Sequence, residues 1–210
     1  MNRPIAVVDY GVNNVGSVLN MLRHLGVEAV AAHDAGDLVE APSIILPGIG
    51  SFDTGVTNLR NAGLFDALKA RVQEHGVPIL GICLGMQLLT KGSEEGRLEG
   101  LGLVDAFTRR FVLEGAARSL KVPHMGWNDT DCIDAELFDG LQGDARFYYV
   151  HSYHVHCADP ADVAARCTHG APFTAALRRG RVFGTQFHPE KSHRFGKLLL
   201  QNFLRLTHHG

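Results

Sequence analysis

VPILGICLGMQLL, residues 77–89, is the stretch that decides the fold, because an apolar strand-like run passes directly into a helical pattern. Cys83 lies at the joint, with Gly81 and Gly85 two residues away on either side. Small residues at these two positions permit the sharp strand-to-helix turn of a nucleophile elbow, which exposes the central side chain. A helix N-terminus also favours a negatively charged thiolate. Taken alone, Cys83 is equally well explained as a small buried hydrophobic residue.

The same alternation of strands and helices extends through the first half of the chain. Short apolar runs at 5–8, 43–46 and 77–82 predict buried strands. Apolar residues at helical spacing predict helices over 15–25 and 64–75, each followed by glycine. This order indicates an α/β fold, with an open, twisted, mainly parallel sheet and helices on both faces.

The second half of the chain has a different character. Its short apolar runs predict six further strands, at 103–107, 147–150, 153–156, 163–167, 173–177 and 182–186. Only a final helix, over 193–206, accompanies them. We therefore expect antiparallel strands in the C-terminal half of a mixed sheet, and one domain spanning residues 1–210.

Composition excludes several classes of function. The 210 residues are 45% hydrophobic and carry 20 Lys and Arg against 22 Asp and Glu, with no basic stripe for nucleic acid. No segment approaches the roughly 18 apolar residues of a membrane span, and the N-terminus has no signal-peptide core. The four cysteines therefore do not indicate a disulfide framework. We expect a cytoplasmic protein that binds neither nucleic acid nor membranes.

A base for Cys83 is predicted in QFHPEKS, residues 186–192, which follows a predicted strand. His188 and Glu190 point the same way in an extended segment, and Pro189 favours that geometry at His188. Glu190 would orient the imidazole while its other nitrogen faces the thiol. Alone, the pair would be read as an ordinary surface pair at a strand end. Its occurrence together with the elbow favours a catalytic site.

An acyl-transfer site also needs hydrogen-bond donors for the developing oxyanion. Leu84 offers the backbone N–H that follows the nucleophile. Gly48, Ile49 and Gly50 follow a predicted strand, and their glycines allow the backbone to approach closely. On its own this Pro-Gly segment would be an unremarkable turn.

Together these residues resemble the class I, or triad, glutamine amidotransferases, and the resemblance spans essentially the whole chain. It rests on four segments: PGIGSF (47–52), GICLGMQ (81–87), KVPHMGWN (121–128) and FHPEKS (187–192). The resemblance implies that Cys83 is the nucleophile, His188 the base and Glu190 its orienting partner, in a glutaminase that needs no metal or organic cofactor.

The same segments are similar to the branch of the family that serves histidine biosynthesis. That similarity implies a heterodimer with a β/α-barrel cyclase, to which ammonia from glutamine is passed. It further implies the roles of three groups of residues: an oxyanion strand at Gly48, Ile49 and Gly50; glutamine recognition by Gln87, His151, Ser152 and Tyr153; and a partner interface at Trp127, Tyr148 and Lys191. One departure is Asn13, where the family usually has glycine.

Several other functions remain open from the residues alone. A glutaminase of another synthase, of the pyridoxal phosphate, anthranilate or aminodeoxychorismate type, is the nearest alternative. A stand-alone cysteine amidase or γ-glutamyl peptidase would be active without a partner, whereas a silent binding subunit would lack activity. His154 and His156 share a strand face, but without a distant second group they favour a solvated or packed strand over a metal site.

Overall fold

The computed structural model describes residues 3–11, 14–141, 143 and 145–208. Its first four strands run parallel in the order β2-β1-β3-β4. Their bounds are β1 (Ile5–Val8), β2 (Ala29–Ala32), β3 (Ile44–Gly48) and β4 (Ile79–Cys83). The three strands β1, β3 and β4 are buried along their whole length. Continuous apolar runs are what a parallel sheet covered on both faces requires.

Helices cover both faces of this sheet. They are α1 (Val15–His24), α2 (Phe52–Asn61), α3 (Leu64–Gln73), α4 (Leu84–Leu88) and α5 (His193–His208). Alternate residues of β1 point to opposite faces, so Ile5 packs in one core with α1 and α5, and Ala6 in another with α2, α3 and α4.

The second half of the chain adds antiparallel strands. They are β5 (Ala106–Arg110), β7 (Asp131–Cys132), β9 (Tyr153–Cys157), β10 (Val163–His169), β11 (Ala171–Arg179) and β12 (Val182–Thr185). Strand β12 is antiparallel to β11 but parallel to β4, so it joins the two halves into one ten-stranded sheet. Strands β6 (His124–Asp129) and β8 (Arg146–His151) form a separate antiparallel pair.

The predicted fold class is confirmed, with corrections to individual elements. The strand expected at 103–107 begins only at Ala106, because the N–H groups of Leu103 and Val104 bond to the carbonyl of Leu89 at the end of α4. Strands β2, β6 and β7 and helix α2 were not predicted. Helix α2 contains Gly55, which weakens the helical signal but lets the helix approach α4 closely.

In the described part of the chain, every helix falls short of the length and apolar content needed to cross a membrane. Asn13, where the family usually has glycine, lies outside the described residues.

Candidate active site

The turn between β4 and α4 has the geometry of a nucleophile elbow. Cys83 is its central residue, with φ 55° and ψ −109°, a conformation that costs energy for any residue with a side chain. The two flanking glycines are required by close backbone approach. A Cβ at Gly81 would lie 2.7 Å from the backbone of Gly85, and one at Gly85 would collide with the carbonyl group of Leu46. The predicted strained turn is therefore present.

The sheet order brings the QFHPE segment beside this elbow. Strand β12 pairs with β4 in parallel, with Thr185 opposite Ile82, so the residues that follow both strands leave the sheet at the same edge. The N–H of His188 donates to the carbonyl of Tyr148 at 2.9 Å, which ties the segment to β8. His188 Nδ1 lies 2.7 Å from Glu190 Oε1, and both side chains are fully buried.

Cys83 and Glu190 together control the charge of His188. Burial alone would lower the pKa of His188, but the neighbouring Cys83 sulfur and the Glu190 carboxylate outweigh it and raise the pKa to about 10. Within the described residues His188 Nε2 has no hydrogen-bond partner. The imidazole is therefore held at Nδ1 by Glu190, and the Cys83 sulfur is its other close charge partner.

Asn14 completes the surroundings of Glu190, and the sequence analysis did not identify it. Its Nδ2 donates to Glu190 Oε1, the same oxygen that contacts His188. The second carboxylate oxygen of Glu190 is buried without a partner among the described residues. Only the tertiary fold reveals this contact, because Asn14 and Glu190 are 176 positions apart in sequence.

The predicted oxyanion residues lie at the ends of β3 and β4. Gly48 is the register partner of Cys83, and Leu84 is the first residue of α4. Tyr10 packs against this segment, with its hydroxyl donating to the carbonyl of Pro47 at 2.9 Å, and burial raises its pKa above the usual range. Beyond β3, Ile49 is exposed and Gly50 has a φ of +109°.

Gln87 and Tyr153, both predicted to recognise glutamine, are in contact. Gln87 lies on α4, and its Nε2 donates to the carbonyl of Tyr153 at 3.2 Å and to Gln186 Oε1 at 3.1 Å. Gln186 in turn places its Nε2 3.7 Å from Cys83 Sγ. Gln186 was quoted within a motif but given no role in the sequence analysis.

His151 and Ser152, predicted for the same purpose, lie at the end of β8 and just after it. His151 Nδ1 donates to the Tyr153 carbonyl at 2.8 Å, and its Nε2 lies 3.1 Å from His124 Nδ1. Burial lowers the pKa of His151 well below its usual range and, with help from nearby His169, that of His124 to about 4. Both imidazoles are therefore neutral at pH 7. The carbonyl of Ser152 accepts from Phe111 N–H.

The residues predicted at a partner interface cluster on the outer side of the β6–β8 pair. Trp127 is 41% exposed, and its ring packs edge-on to Tyr148 at 6.3 Å and stacks on His193 at 5.5 Å. Lys191 Nζ lies 5.9 Å from the centre of the Tyr148 ring. This partly exposed aromatic surface thus includes Tyr148 of β8, whose carbonyl accepts the hydrogen bond from the His188 N–H.

The remaining cysteines are free, and His154 lies in a ring cluster. Cys132, Cys157 and Cys167 are free thiols, and burial raises the pKa of each. No group of three or more potential metal ligands occurs among the residues described. His154 packs against the Phe111 ring at 4.7 Å and His156 is exposed, in agreement with a strand that is partly packed and partly solvated.

Comparison with known proteins covers nearly the whole chain. Residues 6–206 match the family model of class-I glutamine amidotransferases. "Imidazole glycerol phosphate synthase subunit HisH 2" of Methanococcus maripaludis is 46% identical, over 96% of this chain and 98% of the relative. The Pseudomonas aeruginosa protein of the same name is also 46% identical, over 97% and 100%. A crystal structure of a glutamine amidotransferase shares the fold, with a TM-score of 0.75 at 21% identity, over 97% and 99% of the two chains.

Proposed function

Because the chain belongs to the class I glutamine amidotransferase family, we propose that it is the glutaminase subunit of an imidazole glycerol phosphate synthase. It hydrolyses glutamine to glutamate and ammonia, and the ammonia is used by a partner subunit in histidine biosynthesis. The observation that carries the proposal is the strained Cys83 beside a buried His188–Glu190 pair. Relatives of the same subunit name, similar over nearly their full length, support the pathway.

The arrangement supports acyl transfer through a thioester. The Cys83 thiolate attacks the side-chain amide carbon of glutamine, and the protonated His188 gives its proton to the departing ammonia. Glu190 holds the imidazolium in place and stabilises its charge. Water, deprotonated by His188, then hydrolyses the thioester and releases glutamate. The raised pKa of His188 supports this cycle, since the imidazolium is the dominant form at neutral pH.

Other contacts support the binding roles included in this proposal. Gly48 and Leu84 adjoin Cys83, where the backbone N–H groups of residues 48–50 and 84 would stabilise the oxyanion. Gln87 lies one helical turn after the nucleophile and contacts Tyr153, which supports recognition of glutamine by these residues and by the backbone of residues 151 and 152.

The proposed partner is a β/α-barrel cyclase, bound as a heterodimer through the surface that contains Trp127, Tyr148 and Lys191. Exposed aromatic residues beside a cation suit a specific protein interface. Ammonia released into bulk water would become protonated and lose its nucleophilicity, so it must reach the cyclase directly. The cyclase uses this ammonia to convert phosphoribulosyl-formimino-AICAR phosphate to imidazole glycerol phosphate and AICAR. A single glutaminase domain over residues 1–210 belongs to the proposal, supported by the one sheet that joins both halves.

The test is glutamate release from glutamine by the purified chain, alone and with a cyclase subunit plus its nucleotide ligand. We expect little activity alone and an increase of orders of magnitude in the full mixture, because the partner aligns the oxyanion strand. Cys83→Ala is the control and should be inactive in both. High activity of the chain alone would indicate a free-standing amidase instead. Inactivity in every mixture would refute the proposed pairing.

A further inference from the structure

We propose that Gln186 is a further catalytic residue, which hydrogen-bonds the Cys83 thiolate and fixes the orientation of Gln87; this inference rests on the proposed function. Gln186 directly follows β12 and is completely buried. Its backbone N–H donates to the carbonyl of Ala175 at 2.8 Å, so its position is anchored on β11. From there the side-chain amide reaches both Cys83 and Gln87.

The hydrogen-bond pattern determines which way the Gln186 amide faces. The carbonyl of Tyr153 can only accept, so Gln87 must present its Nε2 to it at 3.2 Å. The same nitrogen lies 3.1 Å from the Gln186 amide, which must therefore turn its Oε1 towards Gln87. Gln186 Nε2 then necessarily faces Cys83 Sγ, at 3.7 Å.

This orientation favours the ionised form of the nucleophile. An N–H donor interacts more strongly with a thiolate than with a thiol, because the acceptor is then charged. Besides His188, whose pKa the sulfur raises, Cys83 Sγ faces the carbonyl of Val150 at 3.9 Å, which accepts only and so favours the protonated thiol. Gln186 opposes that preference from within the buried site, where such interactions are strengthened.

The second consequence concerns substrate binding. Both N–H groups of Gln87 are committed, one to Tyr153 and the other to Gln186. Its carbonyl oxygen is thereby left as the group that accepts a hydrogen bond from glutamine. Without Gln186 the Gln87 amide is free to rotate, so a loss of Gln186 should affect KM as well as the thiolate.

The experiment measures alkylation of Cys83 by iodoacetamide across pH, with the modified peptide quantified by mass spectrometry. It uses the full chain carrying Gln186→Met, which keeps the length of the side chain but removes its polar atoms. We expect alkylation at neutral pH to slow about tenfold. The KM for glutamine, measured with the partner present, should rise as well.

Two other variants keep the result interpretable. Gln186→Asn is one methylene shorter and cannot reach the sulfur, so it should reproduce the slower alkylation even if the Met variant fails to fold. Thr185→Val removes a neighbouring buried hydrogen bond, from Thr185 Oγ1 to the Phe187 carbonyl, and should leave the alkylation profile unchanged. An unchanged profile in a folded Gln186 variant would overturn the proposal. Alkylation needs neither glutamine nor partner, so a failure of the proposed function would be seen separately, as absent turnover by the wild-type chain in the full mixture with the cyclase subunit and its nucleotide ligand.

Discussion

Replacement of Gly85 by alanine should disrupt the elbow by forcing α4 away from β3. The added Cβ would lie 2.8 Å from the carbonyl carbon of Leu46 and closer still to its oxygen, whereas ordinary contacts begin near 3.4 Å. The carbon alone would require a separation of about 0.6 Å, and the nearer oxygen forces the helix and the strand apart by well over that. Neither can yield by a change of rotamer, because the obstacle is backbone.

The expected cost follows from the rigidity of this region. Overpacking of a core costs about 1–3 kcal/mol, and a backbone obstacle in a fully buried helix belongs at the upper end. For a chain of this length a loss of about 3 kcal/mol lowers Tm by about 6–12 °C. Glutaminase activity should fall further than stability alone explains, because Cys83 and Leu84 move with the helix.

Thermal unfolding followed by circular dichroism measures the effect, and Gly16→Ala is the matched control. Gly16 is an exposed residue of α1 with nothing near its missing Cβ, so alanine there should stabilise the helix by about 0.5–1 kcal/mol. The same chemical change thus has opposite signs at the two sites. If Gly85→Ala unfolded at the wild-type temperature, the reasoning from close backbone approach would be wrong.

Two further predictions concern the groups around the buried imidazole. The folded-state pKa of His188, about 10, exceeds its usual 6.5. The protonated imidazole therefore contributes its full share to the free energy of unfolding below pH 6.5, and this contribution is lost as the pH rises to 10. Denaturant unfolding measures this: over that pH range the free energy of unfolding of the wild-type chain should fall more steeply than that of His188→Gln, by up to about 1.4 kcal/mol per pH unit. Equal slopes for the two proteins would contradict the prediction. Asn14→Leu removes a donor to Glu190, so kcat should fall about tenfold with little change in KM, and a rise in KM alone would argue against an orienting role.

The elbow and the His-Pro-Glu segment could be predicted because their physical requirements are local. Glycines at two-residue spacing around Cys83 and the alternation of His188 and Glu190 are visible in a few consecutive residues. The same holds for β1, whose four apolar residues match the strand bounds. Short patterns of this kind predict both the local conformation and the chemistry that it would allow.

Other features could not be predicted because they depend on contacts between distant segments. Asn14 meets Glu190 across 176 positions, and Gln186 meets Cys83 across 103. Helix α2 contains Gly55 and is specified by packing on α4, not by its own propensity. Among the described residues, strand β6 pairs with β8 alone and contains Gly126 at a φ of +125°, so its pattern lacks the usual apolar run.

The position of β12 between β4 and β11 determines when, during synthesis, the sheet and the site beside it can be completed. Strand β4 emerges from the ribosome about one hundred residues before β12, so until then its edge beside Cys83 is open. Insertion of residues 182–185 closes that edge and delivers His188 in the same event. A nascent chain that has not yet inserted β12 is therefore inactive as an amidase. A chain truncated before Val182 is expected to be an aggregation-prone, inactive fragment.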